Sequence, residues 1–149
     1  MYKTIPVPLD GSKRAETILP QAVNLAACYN AEVILFRVEE PELILGIDEV
    51  VDVTNYRKES QNQRKEVESY LASVQQDLQK KDIKTKILIG QGSVVSTIIN
   101  TAEKENADLI AMASHGLGGS ARTFYGSVAA GVLQRIDRSL LIVRSRRVE

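Results

Sequence analysis

The chain has no tryptophan, one cysteine and few aromatic residues of any kind, which make up 5% of its 149 residues. The single cysteine, Cys28, excludes a disulfide within the chain, and its place in an apolar helical pattern predicts a small core residue rather than a nucleophile. The shortage of aromatic side chains leaves few platforms for base stacking. Basic and acidic residues balance at 19 each, so the chain lacks the net positive charge that attracts nucleic acid or an anionic membrane. We therefore expect no nucleic-acid partner and no membrane partner.

Long apolar runs are also missing. Residues 1–6 lack the apolar core of a signal peptide, and no segment approaches the length needed to cross a bilayer. Together with the lone cysteine, these absences predict a soluble protein of the cytoplasm. A length of 149 residues and a hydrophobic content of 44% suffice for one domain, residues 1–149, that buries its core without disulfides or a structural metal.

Several common catalytic and cofactor motifs are absent as well. No Gly-Lys-Ser or Gly-Lys-Thr occurs, which excludes a P-loop NTPase, and one cysteine with one histidine cannot close a metal site. His115 follows Ser114, but adjacent residues on one turn seldom point at each other and no G-x-S-x-G elbow is present, so we expect a loop residue near a ligand. Residues 116–121 match G-x-G-x-x-A, yet the next helix begins only near Gly126, too late for the dinucleotide fingerprint.

The chain does contain a regular alternation of apolar strands and amphipathic helices. The apolar runs predict strands at Thr4–Leu9, Ala31–Val38, Lys84–Ile89, Asp108–Ala113 and Leu140–Val143. Helical spacing predicts a first helix that follows an N-cap at Ser12 and runs to about Tyr29. It predicts further helices from Asn55 to Lys81, from Val94 to about Asn106 and from Val128 to Ile136. Pro20 should kink the first helix or delay its regular start. This alternation predicts an α/β fold in which helices cover both faces of one parallel sheet.

Ligands of such sheets bind where loops leave the carboxyl ends of the strands. This rule selects Pro8 to Asp10 after the first strand, Val38 after the second, and the glycine-rich stretch after the fourth. That stretch, Leu109 to Ser127, begins as a buried strand and breaks into glycines, which let a backbone approach a ligand closely. Gly126 and Ser127 then open a helix whose N-terminus favours an anion, so we predict a phosphate cradle.

Three polar residues near this predicted cradle each fit two roles. Asp10 is either an acceptor for a ribose or base, or the Asx-type residue of the turn Asp-Gly-Ser. Ser127 donates to a phosphate, caps the last helix, or does each at different times, because both roles use the same N-terminal position. Arg122 either offsets phosphate charge or is simply solvated. The apolar loop Glu39 to Thr54 covers a pocket or a partner surface, or packs on its own domain.

Three stretches make the chain resemble the universal stress protein family over Lys3 to Val143: Val7 to Ser12, Asp108 to Gly116, and Gly126 to Ala129 before a short apolar strand. ATP-binding members carry a glycine, two residues, a second glycine, nine residues, and then glycine with serine or threonine. Gly116 and the pair Gly126-Ser127 match this motif, whereas Ala113 replaces its first glycine and Leu117 stands where many members have a basic residue. An alanine is tolerated there if the backbone does not need a positive φ angle.

The resemblance implies a five-stranded parallel sheet of order 3-2-1-4-5, a three-layer α/β/α domain, and a homodimer that pairs the strand Leu140 to Val143 with its copy. It also implies an adenine nucleotide, ATP or else AMP or ADP, with Mg²⁺ held mainly by the phosphates. The implied nucleotide site places Asp10, Val38 and the neighbouring Pro8 at the adenine, Ala113, Ser114 and His115 at the ribose side, and Gly116, Gly119, Gly126, Ser127, Val128 and Ala129 at the phosphates.

These features predict a stress-response protein that works as a nucleotide-dependent regulator. The sequence offers no visible general base or metal cluster for fast turnover, although weak ATP hydrolysis stays compatible with it. The alternative is a nucleotide-free dimer that acts as a protein interaction module, with the apolar loop Leu43 to Val51 facing its partner. A nicotinamide or flavin enzyme on a related fold is a third class.

Overall fold

The computed structural model describes residues 1–40, 53–116 and 126–145. Strands and helices alternate in these ranges as predicted, with strands β1 Thr4–Pro8, β2 Glu32–Glu39, β3 Lys84–Gln91, β4 Leu109–Ala113 and β5 Ser139–Val143. The α-helices are α1 Leu19–Tyr29, α2 Val53–Gln79, α3 Val94–Lys104 and α4 Ser127–Arg135. The apolar loop segment Leu43–Val51, together with Leu117, Gly119 and Arg122, lies outside the described residues.

All strand pairs are parallel, which confirms the predicted α/β class. Regular hydrogen bonding joins β1, β2 and β3 in one group and β4 and β5 in another. The first group places Pro8 opposite Phe36 and Val38 opposite Gly90, and the second places Ala113 opposite Val143. Because β1 packs alongside β4, the five strands lie in the order 3-2-1-4-5.

The prolines of β1 explain why regular backbone hydrogen bonding is interrupted between β1 and β4. Leu9 N–H donates to Phe36 O at 2.8 Å, so the odd-numbered residues of this strand direct their backbone polar groups toward β2. Thr4 O accepts from Asp108 N–H at 3.3 Å, so the even-numbered residues, Pro6 and Pro8 among them, face β4. Proline has no N–H to donate, and β1 therefore contributes acceptors but few donors on this side.

Two apolar cores, one on each face of the sheet, produce the three layers. Side chains alternate along β2, so Val33 and Leu35 pack with residues of α1 and α2, while Ile34 and Phe36 pack with residues of α3 and α4. Within the described ranges no helix is long and apolar enough to span a bilayer.

The first helix begins later than the sequence predicts. A 3₁₀ turn, Ala15–Ile18, precedes α1, and Pro20 lies in the first turn of α1, where a missing N–H costs nothing. Ser12 instead stabilises the 3₁₀ turn, because its Oγ accepts from Ala15 N–H at 3.1 Å. Ser12 thus makes the predicted capping-type bond, but to the 3₁₀ turn rather than to α1, and the delay predicted from Pro20 is confirmed.

The predicted burial of Cys28 is also wrong, since this side chain is exposed. The buried face of α1 is formed by Ala22 and Ala26, which lie one turn apart. At 100° per residue, Cys28 points away from that face despite its apolar neighbours.

Arg138 closes the C-terminal end of α3. Its Nη1 donates to the carbonyl oxygens of Ala102 and Ala107, both at 3.2 Å. Replacing Arg138 with alanine removes both bonds and leaves one carbonyl in the last turn of α3 and one in the following loop without this donor. We expect Arg138→Ala to lower the free energy of unfolding by about 1–3 kcal/mol in urea titrations.

Arg64→Ala is the control: its exposed ion pair with Glu68 on α2 should contribute less than about 0.5 kcal/mol. Equal losses in both variants would contradict the capping role.

Candidate functional site

The ends of β1 and β4 and the start of α4 meet at the carboxyl edge of the sheet. A Cβ atom built on Gly116 would overlap Oδ2 of Asp10, so the loop after β4 lies directly against this carboxylate. Gly126 N–H donates to Ser114 O at 2.8 Å and ties the start of α4 to the same loop. The structure thus brings together three segments that the sequence selected separately.

Asp10 forms the predicted Asx-type turn. Its Oδ1 accepts from Ser12 N–H at 2.9 Å and from Ser12 Oγ–H at 2.6 Å. Gly11 lies between them with φ +86°, a left-handed conformation that favours glycine. A Cβ atom on Gly11 would also come within 2.9 Å of Nη1 of Arg37, so this guanidinium packs against the turn. The turn role of Asp10 is confirmed, and a ligand-acceptor role stays a prediction.

Sequence reasoning missed three charged or titratable neighbours of this turn: Arg37, Glu16 and Tyr70. Burial raises the pKa of the Tyr70 hydroxyl above its ordinary value, the carboxylates of Glu16 and Asp10 raise this pKa further, and the Arg37 guanidinium lowers it. Together with Asp10, these residues come from four separate segments, and only their arrangement in space brings their charges together. No local motif in the sequence signals it.

The raised pKa of Tyr70 has a consequence for stability at alkaline pH. An unfolded tyrosine ionises near about pH 10, whereas the folded protein keeps the proton at that pH, so the unfolded state binds fewer protons. Stability should therefore fall as the pH rises through about 10. Tyr70→Phe removes this linkage, and we expect its free energy of unfolding to decline less steeply between about pH 9 and 11 in urea titrations. Parallel declines in both proteins would show that Tyr70 is not the linked group.

Pro8 and Val38 occupy the ends of neighbouring strands. Pro8 lies opposite Phe36, and the bond from Leu9 N–H to Phe36 O extends the contact of β1 with β2 beyond it. Val38 is partly buried against the core on the α3 and α4 face. Both residues therefore lie at the same edge as Asp10.

Ala113 is the last residue of β4 and is buried at 5% exposure. Positive φ angles among the described residues occur at Asn30, Asp82, Asn106, Gly11 and Gly92. Ala113 is not one of them, so this position satisfies the condition under which alanine replaces a glycine without backbone strain.

The expectation that Ser114 and His115 point away from each other is wrong. Ser114 Oγ lies 3.0 Å from His115 Nδ1, and both residues are buried. Ser145, which follows β5, completes the group: its N–H donates to Ser114 Oγ at 3.1 Å, and its Oγ–H donates to His115 O at 3.5 Å. The third residue comes from a distant part of the chain, which is why the sequence did not reveal this group.

The start of α4 lies beside the loop that follows β4. Gly126 is the N-cap and Ser127 the first helical residue, so of the two roles left open for Ser127 the structure does not support capping. Within the described residues, no side chain makes a capping bond to this helix start. Ala130 N–H donates to Gly126 O at 3.0 Å, while the amides of Ser127, Val128 and Ala129 have no acceptor within the described chain. Three neighbouring donors at a helix N-terminus form an arrangement that attracts anions.

Comparison with known proteins matches this architecture to one family. The model of the universal stress protein family matches residues 1–144. The chain belongs to the universal stress protein family. The resemblance predicted from three short stretches is thus confirmed over nearly the whole chain.

Individual relatives support the same fold. Universal stress protein MJ0577 of Methanocaldococcus jannaschii is 29% identical, over 98% of this chain and 97% of its own. A solved structure of hypothetical protein MJ0577 superimposes with a TM-score of 0.84 at 28% identity and covers 99% of both chains.

A universal stress protein solved in complex with cAMP has a TM-score of 0.71 at 22% identity, covering 97% of this chain and 98% of its own. One from Archaeoglobus fulgidus in complex with dAMP has a TM-score of 0.64 at 20% identity, covering 95% and 97%. At these identities the two structures establish a shared fold.

Proposed function

We propose that this universal stress protein binds an adenine nucleotide, with ATP as the expected form, and acts in the cytoplasm as a nucleotide-dependent regulator of the stress response. The start of α4 carries the proposal. The backbone N–H groups of Ser127, Val128 and Ala129 lack acceptors in the described chain and lie next to the loop that follows β4. Phosphate oxygens are the acceptors that such a site favours.

The residues around this helix start fit the remainder of a nucleotide. Gly116 lies so close to Asp10 that any side chain at position 116 would displace the Asp10 carboxylate. The glycine therefore leaves this carboxylate, a hydrogen-bond acceptor, at the edge of the sheet. We assign Asp10, Pro8 and Val38 to the adenine, and Ala113, Ser114 and His115 to the ribose side. Gly116 and Gly126 to Ala129 would hold the phosphates, together with Gly119 beyond the described residues.

Two relatives with the same fold support the adenine assignment. One was solved with cAMP and the other with dAMP, and both ligands join an adenine to one phosphate. We extend this ligand class to the present chain and expect ATP as its natural form, with Mg²⁺ offsetting the charge of the phosphates that hold it. Among the described residues no three His, Cys, Asp or Glu side chains cluster as metal ligands.

The edge strand β5 supports the proposal of a homodimer. This strand pairs with β4 on one side, and in the described ranges no other strand pairs with it. Its residues Leu140 to Val143 are apolar and only partly buried. An apolar edge strand is a liability that pairing with a second copy removes.

Calorimetric titration of ATP and Mg²⁺ into ligand-free protein tests the nucleotide proposal. We expect saturable binding, and GTP serves as the competitor that reports base selectivity. Because the chain has no tryptophan, excess absorbance at 260 nm in freshly purified protein would reveal a bound adenine. No heat of binding at millimolar ATP would reject the proposal and favour the nucleotide-free interaction module.

A further inference from the structure

The gap in regular hydrogen bonding between β1 and β4 runs through the proposed nucleotide site. Pro8 and Val38 belong to the group β1-β2-β3, whereas Ala113 belongs to the group β4-β5. The start of α4 is tied to the second group, because Gly126 N–H donates to Ser114 O at 2.8 Å. The shape of this site therefore depends on what holds the two groups of strands together at the carboxyl edge of the sheet.

Different contacts span the two ends of this gap. At the amino end of β1, the Asp108 carboxylate accepts from Lys3 N–H at 2.7 Å and from Thr4 N–H at 3.1 Å. At the carboxyl end, the Asp10 carboxylate lies directly against Gly116, where an added Cβ atom would overlap Oδ2 and lie 3.0 Å from Cγ. Asp10 thus spaces the loop after β4 from the end of β1, and a shift of Asp10 would be passed on to that loop.

Arg37 of β2 packs against the turn that carries Asp10. Side chains alternate along β2, so Arg37 projects on the same face of the sheet as Val33 and Leu35. Its Nη1 lies 2.9 Å, and its Cζ 3.9 Å, from the position that a Cβ atom on Gly11 would take. The guanidinium therefore occupies the space beside the turn that a side chain at position 11 would need.

Arg37 also places a positive charge among negative ones. Burial raises the pKa of the Tyr70 hydroxyl, the carboxylates of Glu16 and Asp10 raise this pKa further, and the Arg37 guanidinium lowers it. All three charged groups therefore lie close enough to one hydroxyl to act on it. Opposite charges attract, so the guanidinium offsets the repulsion between the two carboxylates and favours the position that Asp10 takes.

We propose that Arg37 is a positioning residue: it packs on Gly11 and attracts Asp10, and so fixes the turn that sets the spacing between the two groups of strands at the nucleotide site. The part that concerns the nucleotide rests on the proposed function. The effect of Arg37 on the turn does not require a nucleotide. Arg37 acts through Gly11 and Asp10 rather than by contact with the ligand.

Hydrogen exchange of two amides tests the effect on the turn in ligand-free protein. Ser12 N–H donates to Asp10 Oδ1 at 2.9 Å within the turn, and Leu9 N–H donates to Phe36 O at 2.8 Å just before it. We expect Arg37→Gln to speed exchange of the Ser12 amide about fivefold to tenfold, the effect of one weakened hydrogen bond, and to leave the Leu9 amide unchanged. Faster exchange of both amides by the same factor would show a general loss of stability and overturn the proposal.

Calorimetric titration of ATP tests the effect on the nucleotide site. Arg37→Gln should weaken ATP binding about fivefold to tenfold, as for the loss of one hydrogen bond. Arg37→Lys keeps the positive charge but lacks the planar guanidinium, so we expect it to recover part of the ATP affinity and part of the Ser12 protection. This variant decides the question if Arg37→Gln does not fold.

Asp108→Ala is the matched control, because it removes two hydrogen bonds at the opposite end of the same gap. It should lower the free energy of unfolding in urea titrations and leave the affinity for ATP unchanged. Equal losses of ATP affinity in Asp108→Ala and Arg37→Gln would overturn the proposal, since any disturbance of the gap would then have the same effect.

Wild-type exchange of the Ser12 amide in Arg37→Gln would also overturn the proposal, as would wild-type exchange in Arg37→Lys where Arg37→Gln does not fold. Wild-type ATP affinity in a variant whose Ser12 amide exchanges faster would overturn the link between the turn and the nucleotide site. If Arg37→Gln speeds exchange at Ser12 but wild-type protein binds no ATP, the proposed function fails while the positioning of the turn by Arg37 stands.

Discussion

Gly126→Val should weaken ATP binding by about tenfold to hundredfold while the protein stays folded, as measured by calorimetric titration and circular dichroism. The backbone at Gly126, with φ −66° and ψ 163°, is extended and open to any residue. The difficulty is space: a Cβ atom would lie 3.0 Å from Ser114 O, and valine adds two methyl groups to it. We expect α4 to move away from β4 and to carry its amides out of reach of the phosphates.

The size of this loss in affinity follows from the hydrogen bonds to the phosphates that Gly126→Val would break. A hydrogen bond to a charged group contributes about 1.5–3 kcal/mol, which corresponds to the stated loss in affinity. From the sequence alone, valine would be expected to occupy the phosphate position itself. The structure gives another cause, because the Cβ atom points at the Ser114 carbonyl and the His115 ring.

Gly131→Ala provides the matched control for Gly126→Val. Gly131 lies within the same helix, and its added Cβ would come within 2.8 Å of Val95 Cγ2 on α3. This variant should lose stability through crowding between the two helices and keep its affinity for ATP, because the helix start is unchanged. Unchanged affinity in Gly126→Val would place the nucleotide elsewhere.

Phe36→Ala should lower the free energy of unfolding by about 3–5 kcal/mol, as for other large buried aromatic residues. Phe36 is 1% exposed and belongs to the core on the α3 and α4 face. Its ring also lies 3.1 Å from the position that a Cβ on Gly90 would take, so β3 closes over it. Removal of the ring leaves a cavity between the sheet and α3 that backbone atoms cannot readily fill.

Urea unfolding of Phe36→Ala and Leu133→Ala separates burial from residue type. Leu133 is 48% exposed on α4, so its truncation should cost less than about 1 kcal/mol. A loss below about 1 kcal/mol for Phe36→Ala would mean that this core is loosely packed. A similar loss in both variants would contradict the placement of Phe36 at the centre of the core.

Strand positions were predictable because a strand buried on both faces must be apolar throughout. The predicted strands Asp108 to Ala113 and Leu140 to Val143 differ from β4 and β5 by one residue at their starts. Helix starts were less predictable, since Pro20 permits either a kinked helix or a delayed one, and the choice depended on the 3₁₀ turn that Ser12 stabilises. Local patterns indicate which strand residues are buried, but they describe helix ends and turns less well.

The sequence by itself determined the α/β class and, through family resemblance, the strand order, and it predicted the carboxyl edge as the place for a ligand. Apolar periodicity and glycine positions are local properties, which is why they can be read along the chain. Only the tertiary structure decided that Ser114 contacts His115 and Ser145, and that Arg37 and Tyr70 approach the Asp10 turn. These contacts join segments far apart in the chain, and their geometry depends on how the sheet and helices pack.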